Sequence, residues 1–302
     1  MKVTVFGGSG FLGSHVCDQL SNAGYQVTIF DQVESQWLRE DQQMFIGDIL
    51  NEEQIAQAIQ NAQFVFNFAG IADLDEAQAR PIDTVRNNIL GNTMILEACR
   101  QASVERYVFA SSVYVYSKTG GFYRCSKQAC ELYIENYHEY FGLEYTILRY
   151  GSLYGQRSDS RNTIHRFVHQ ALTEKKITYG GSPKALREYI HVEDAARSSV
   201  KILEPEYANE HIVLTGHQPM RVGDLLKMIG EMLNEELKFE FESNPDYAHY
   251  EITPYSFNPR VGKKLAATFH VDLGQGVLHI VEELHQKLNP ELHSHHGFLV
   301  EE

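Results

Sequence analysis

Through its first half the chain alternates short apolar runs with longer amphipathic segments, and nothing else in the sequence restricts the fold as much. Residues 3–6, 27–30, 44–46, 64–68, 106–110 and 145–149 have the length and composition of strands. Helices are expected at 12–23, 52–59, 81–102 and 123–141, the third opening with Pro81, which a first helical turn tolerates. Strand–helix repetition of this kind predicts an α/β fold on a parallel, doubly wound sheet. Beyond about Tyr150 the pattern loosens. Helices are expected at 163–173, 192–203, 222–234 and 276–288, and strands at 212–214 and 239–241, with a loop rich in Pro, Tyr and Asn at 245–259. No internal repeat is visible. The second half reads as a smaller lobe interleaved with the first, followed by a polar tail.

With 302 residues the chain suits one large domain or two unequal ones. A hydrophobic share of 43% provides a core, and 22% charged residues is ordinary. The net charge of -14 argues against non-specific nucleic-acid binding. Cys17, Cys99, Cys125 and Cys130 form no Cys-x-x-Cys pair, and no secretory signal is visible, so reduced thiols in a cytoplasmic protein are expected. No apolar run approaches the ~20 residues of a membrane span.

Two local patterns carry chemistry. Gly7-Gly8-Ser9-Gly10-Phe11-Leu12-Gly13 lies between the first strand and first helix, with Gly7, Gly10 and Gly13 at Gly-x-x-Gly-x-x-Gly spacing. Such glycines permit a tight turn and let backbone N–H groups approach a pyrophosphate at a helix N-terminus. Asp31 closes the second strand, where a carboxylate accepts from a ribose 2′-hydroxyl and repels a 2′-phosphate, which favours NAD over NADP. The second pattern is Tyr123 and Lys127, an i, i+4 pair on one helix face. An ammonium beside a phenol eases its ionisation, so Tyr123 is a candidate for proton exchange with a substrate hydroxyl.

With these residues the chain resembles the extended short-chain dehydrogenase/reductases, and among them the nucleotide-sugar epimerases and dehydratases of the UDP-glucose 4-epimerase type. The resemblance runs from Met1 to about Leu288. It rests on the glycine turn, Gly47-Asp48-Ile49, Asn67-Phe68-Ala69-Gly70, Asn88-Ile89-Leu90-Gly91, the strand ending Ser111-Ser112-Val113-Tyr114-Val115-Tyr116, Leu148 to Gly155, and Arg187 to Asp194. It implies a Rossmann-type doubly wound sheet with a smaller, mostly C-terminal substrate-binding lobe. Residues 1–155 would be the NAD-binding domain, 156–288 the substrate lobe, and 289–302 a mobile tail.

The resemblance assigns catalysis to Ser112, Tyr123 and Lys127. It assigns NAD to Gly7, Gly10, Phe11, Leu12, Gly13, Asp31, Asp48, Ile49, Phe68, Ala69, Gly70, Asn88, Ser111, Tyr123, Lys127, Tyr150 and Leu153. The nucleotide-sugar substrate falls to Ser112, Tyr123, Ser152 and Arg187, with Arg187 on the diphosphate. Tyr123 as phenolate would take the hydroxyl proton while hydride leaves the carbon, and Ser112 would stabilise charge on the reacting oxygen.

Several positions depart from the family pattern. Only residues 113–122 separate Ser112 from Tyr123, where relatives have a longer segment touching the sugar. Asn67 stands where histidine is commoner, Ser152 replaces an Asn, and the second family Arg has no clear match, Arg260 aligning poorly. Val113 and Tyr114 carry no carboxyl group where dehydratases and decarboxylases of this branch place an acid, which leaves simple redox at one sugar carbon, C4. A nucleotide-sugar 4-epimerase is therefore expected, with a C4 dehydrogenase releasing a 4-keto sugar as the alternative and an inactive NAD-binding scaffold third. Helices 81–102 and 123–141 match those through which relatives dimerise, so a homodimer is expected. Tyr114, Tyr116 and Tyr154 lie near the expected pocket. His165, His169 and His191 read as local hydrogen-bonding residues, and His293, His295 and His296 as part of the tail with no metal.

Overall fold

A computed structural model describes residues 1–234, 236–241, 250–252, 263–264 and 270–289. The first half runs β1 (Lys2–Phe6), α1 (Phe11–Asn22), β2 (Gln26–Asp31), β3 (Gln42–Ile46), α2 (Glu52–Ala58), β4 (Phe64–Asn67), α3 (Leu74–Ala79), α4 (Pro81–Thr84), α5 (Gly91–Gln101), β5 (Arg106–Ser112), α6 (Gly121–Phe141) and β6 (Glu144–Tyr150). Strands β1, β4, β5 and β6 are buried along nearly their whole length, as expected of parallel strands covered on both faces. The second half continues with β7 (Ser152–Tyr154), α7 (Thr163–Glu174), β8 (Lys176–Tyr179), β9 (Leu186–His191), α8 (Val192–Lys201), β10 (Glu210–Leu214), β11 (Pro219–Arg221), α9 (Val222–Leu233), β12 (Lys238–Phe241), β13 (Lys263–Lys264) and α10 (Leu273–Leu288).

The main sheet has the order β13-β10-β6-β5-β4-β1-β2-β3, and every pairing in it is parallel. One face packs Val16 and Leu20 of α1 with Val192, Ala195 and Ala196 of α8 against the strands. The other face receives Ile55 of α2, Ile95 and Leu96 of α5, and Cys130 and Ile134 of α6. A separate core joins α7, α9 and α10 through Phe167, Leu225, Leu226, Val277 and Ile280. Strands β10 and β13 return to the main sheet after the chain has entered this lobe, so the two parts interleave in sequence.

The expected elements of the first half are all present, with ends displaced by a few residues. Segment 81–102 is helical but not uniformly α: between α4 and α5 it makes a π turn, Val85–Leu90. Helix α3 was not expected; it has only six residues, half of them polar, and Ala77 is its one buried side chain. Five strands of the second half, β7, β8, β9, β11 and β13, were also missed. β7, β9 and β11 form a small sheet, and β8 pairs in parallel with β12. The last helix begins at Leu273, capped by Asp272, rather than at residue 276. Of the expected 245–259 loop, residues 250–252 are described, with the Glu251 carbonyl accepting the Leu186 N–H at 2.6 Å. Arg260 and the three tail histidines lie outside the described residues, as do residues 290–302 of the expected tail. Among the described residues no helix is long and apolar enough to cross a membrane. Cys17, Cys99 and Cys130 are buried free thiols, while Cys125 is exposed.

Candidate active site

The C-terminal ends of β1, β4, β5 and β6 open onto a cavity of about 430 Å³, where open parallel sheets bind ligands. The glycine turn forms its floor. Gly7 has φ +76°, and a Cβ there would stand 2.6 Å from the Ala69 nitrogen. A Cβ on Gly13 would stand 2.2 Å from the Gly7 carbonyl oxygen, so helix α1 meets the β1 turn without room for a side chain. Gly10 is the N-cap of α1, no side chain caps that helix, and its first turn holds no acid. The leading N–H groups of α1 therefore face the cavity beside Phe11, Leu12 and Gly13, an arrangement suited to an anion. The Asp31 carboxylate accepts the Ser9 N–H at 3.0 Å and the Gln32 N–H at 2.8 Å, which fixes the turn to the end of β2.

Ser112 ends β5 and caps a short 3₁₀ turn, its Oγ accepting the Tyr114 N–H at 3.3 Å. Tyr123 lies on the first turn of α6 and shares a side-chain hydrogen bond with Ser112. Lys127, one turn on, donates from Nζ to the Ala110 carbonyl at 2.7 Å and lies 4.7 Å from the Phe109 ring centroid. All three side chains are buried and line the cavity. Burial, rather than the ammonium 5.8 Å from its ring centroid, is the larger influence on the phenol. Burial pushes Tyr123 up to about 12, opposed by the Ser112 hydrogen bond. Burial also lowers Lys127, with Cys130 and Glu131 nearby acting against it.

Helix α6 is held by a buried asparagine. Asn88, inside the π turn, accepts the Ile71 N–H at 2.7 Å and donates to the Ile71 carbonyl at 3.0 Å and the Ser126 hydroxyl at 2.9 Å. Ser126 Oγ in turn donates a hydrogen bond to the Tyr123 carbonyl at 2.8 Å. Beneath β5, Glu131 accepts from Ser111 Oγ at 2.5 Å and from Arg149 Nε at 3.0 Å and Nη2 at 2.6 Å. Arg149 also reaches the Tyr116 hydroxyl.

Most of the expected site residues share this cavity: Gly7, Gly10 and Gly13 with Phe11 and Leu12, Phe68 and Gly70, Ser111 and Ser112, Tyr123 and Lys127, Tyr150, Ser152 and Leu153, and Arg187. Asp31, Asp48, Ile49, Ala69 and Asn88 do not line it. Asp48 accepts the Leu50 N–H at 2.9 Å, and Ile49 packs under Gly91. Two expected contacts have their polar atoms engaged elsewhere. Ser111 donates to Glu131, and the Tyr150 hydroxyl is 2.6 Å from Ser199 Oγ. Arg187 is buried, with its guanidinium 4.4 Å from the Tyr250 ring centroid. Residues missed from sequence come mainly from the second lobe and the α3 approach: Asp73, Leu74, Asp159, Arg161, Asn162, Tyr189 and Tyr250. Asn162 left a trace, since an Asn before an amphipathic run reads as an N-cap, and its Oδ1 accepts the Ile164 N–H at 3.1 Å.

Residues 3–215 match the NAD dependent epimerase/dehydratase family. The chain belongs to this family. A UDP-glucose 4-epimerase of Bacillus subtilis is 26% identical over 247 residues, covering 68% of this chain and 73% of that protein. The fold is shared with the UDP-glucose 4-epimerase of Thermotoga maritima solved with UDP-glucose (TM-score 0.84, 23% identity, 95% of this chain and 100% of that one). It is shared equally with the UDP-glucuronic acid 4-epimerase of Bacillus cereus in complex with UDP-glucuronic acid and NAD (TM-score 0.84, 24% identity, 95% and 100%).

Proposed function

We propose that the chain is an NAD-dependent nucleotide-sugar 4-epimerase. The observation that carries this reading is the meeting of Ser112, Tyr123 and Lys127 in one cavity with the uncapped N-terminus of α1. The glycine turn, too close to Ala69 for any side chain at Gly7, leaves backbone N–H groups to hold a pyrophosphate. Asp31, beside that turn, keeps lone pairs for a ribose hydroxyl. NAD, when bound, would supply reversible hydride exchange with the sugar carbon.

This chain's residues handle the proton. Tyr123 takes it from the C4 hydroxyl and gives it back after the ketosugar has turned. Ser112 donates to the same oxygen as charge develops. Lys127 reduces the cost of the phenolate and has donors left for a ribose hydroxyl beyond its bond to Ala110. Arg187, buried on the cavity wall, binds the diphosphate, and Ser152 contributes a hydroxyl nearby. Val113, apolar and buried, offers no acid for elimination or decarboxylation. The 4-epimerase names of the relatives favour epimerisation over release of a ketosugar.

The cofactor part comprises residues 1–155 with β10 and β13 added back, and the substrate lobe the remainder up to 288. The chain acts as a cytoplasmic homodimer. Ile82, Val85 and Leu90 on the 81–101 helical segment, and Phe122, Leu132, Tyr133, Tyr140 and Phe141 on α6, are exposed apolar side chains on neighbouring helices. A protein of this charge that leaves so large an apolar surface open is suited to self-association. Sedimentation at micromolar concentration should give the mass of a dimer, and a monomer would rule it out.

The activity is tested by incubating purified protein and NAD with UDP-glucose or UDP-galactose and following the C4 epimers by NMR. Interconversion without accumulating NADH is expected. A ketosugar accumulating with NADH would show a dehydrogenase instead, and failure to bind any nucleotide sugar would leave a scaffold.

A further inference from the structure

The short connection between Ser112 and Tyr123 builds one wall of the cavity, and Tyr114 is its face. Val113–Tyr116 makes a single 3₁₀ turn. Side-chain bonds pin this turn and residues 117–119 to helix α6 and to one another. Arg124 donates to the Ser117 carbonyl at 2.9 Å, Gln128 donates to the Val115 carbonyl at 2.8 Å, and Ser117 Oγ accepts the Thr119 N–H at 3.0 Å. Gly120 has φ +99°, and a Cβ on it would stand 2.7 Å from the Tyr114 ring. Glycine at 120 therefore lets the ring lie against the backbone. On its other sides Tyr114 stands edge-on to Tyr123, with centroids 6.1 Å apart, and tilts against Tyr250 at 4.8 Å. A ring held by the backbone at Gly120 and by two further rings has no space to withdraw.

We propose that Tyr114 is a specificity-determining residue, a fixed wall that admits a neutral hexosyl group and turns away hexuronates and N-acetylated hexosamines. This rests on the 4-epimerase reading. If Tyr123 and Ser112 hold the reacting oxygen at C4, one ring edge lies towards the residue two positions beyond Ser112 and in edge contact with Tyr123, and because the ketosugar must turn about its C1–C4 axis, the C5 substituent and the C2 substituent each face that residue at one stage. A bulky group there meets a side chain that cannot move. A carboxylate meets a wall of Val113, Tyr114, Tyr250 and Leu74, all neutral. The cations lining the cavity among the described residues are committed elsewhere, Lys127 towards the cofactor ribose and Arg187 towards the diphosphate. Lys127 donates to Ala110, Arg161 pairs with Asp159 at 2.6 Å, and Arg187 lies over Tyr250 on the diphosphate side. An anion desolvated there without a partner is strongly disfavoured.

The test measures binding and initial rates on NAD-loaded protein for UDP-glucose, UDP-N-acetylglucosamine and UDP-glucuronic acid, with UDP as the sugar-free reference. The wild type should prefer UDP-glucose, and Tyr114→Ala should narrow its margin over the two larger sugars by about tenfold or more, the scale of steric discrimination in a pocket. Affinity for UDP should not change, and Tyr114→Phe, which keeps the ring, should preserve the sugar ratios. The proposal is overturned if Tyr114→Ala leaves the ratios as they were, if its UDP affinity falls as far as that of the sugar nucleotides, if Tyr114→Phe loses the selectivity, or if the wild type prefers the acid or the N-acetyl sugar. Binding in the expected order without C4 interconversion would overturn the 4-epimerase reading alone. Absence of binding by any of the three sugar nucleotides would overturn both.

Discussion

Glu131 and Arg149 are the pair whose disruption should matter most to the support of the site. Their side chains are 8% and 3% exposed, and the carboxylate accepts three hydrogen bonds, two from Arg149 and one from Ser111. Replacing Glu131 with Gln keeps the shape but puts an NH₂ group where one carboxylate oxygen accepts, so a buried guanidinium faces a donor. Leaving one partner of a buried pair uncompensated costs about 3–5 kcal/mol. That is a fifth or more of the roughly 5–15 kcal/mol by which folded proteins are stable. At a urea m-value of about 3 kcal/mol/M the midpoint should drop by roughly 1–2 M. Arg149→Met should cost a similar amount. The double variant Glu131→Met/Arg149→Met should cost much less than the two single losses together, because no charge is then stranded. Urea titration followed by circular dichroism on all variants completes the cycle. Additive losses would refute the reasoning, since they would mean that the two groups do not depend on each other.

The remaining predictions concern the site itself. Because burial raises Tyr123 from 10 to about 12, the folded state holds its proton more tightly than the unfolded chain, so this group's contribution to stability is intact below pH 10 and disappears as pH rises towards 12. Phenolate absorbance should show that group titrating near the top of the range in cofactor-free protein and lower once NAD is bound, and the difference should vanish in Tyr123→Phe; an unchanged titration with NAD would count against the assigned role. Gly13→Ala places a methyl 2.2 Å from the Gly7 carbonyl, and about 1–3 kcal/mol of strain at the turn should appear as a roughly ten- to hundredfold loss of NAD affinity by calorimetry. Asn88→Ala strands the Ile71 N–H and carbonyl and takes a donor away from the Ser126 hydroxyl, and should cost about 2–4 kcal/mol in urea. It should also lower kcat more than it raises KM, because Asn88 positions Tyr123 without lining the cavity.

The main sheet was legible because strands buried on both faces are written as unbroken apolar runs, and β1 and β4 to β6 are of that kind. The glycine turn was legible for a related reason, in that backbone contact too close for a Cβ leaves only one residue type possible. The second lobe was harder. β7 and β11 have three residues each, β8 alternates polar with apolar but over only four residues, and β9 carries no regular alternation, so none stands out from its surroundings. Asp159, Arg161 and Tyr250 reach the cavity only through packing between distant segments, which no local pattern records. Tyr123 shows the same limit in electrostatics. The sequence displays the neighbouring lysine but not the depth of burial, and burial wins.

The π turn at Val85–Leu90 gives the whole helix a property that neither of its α segments has alone. Each turn of π geometry holds about one residue more than an α turn, so the segments on either side are out of phase by about 100°. That offset lets Asn88 point inward to Ile71 and Ser126 while Val85 and Leu90 stay outward, at 50% and 49% exposure. Removing one residue here would force the helix back to a single screw, and one of the two faces would have to rotate away from its neighbours. Substitutions of the outward residues Val85 and Leu90 should therefore stay local, whereas a one-residue deletion would alter the outer surface and the support of the tyrosine in the same event.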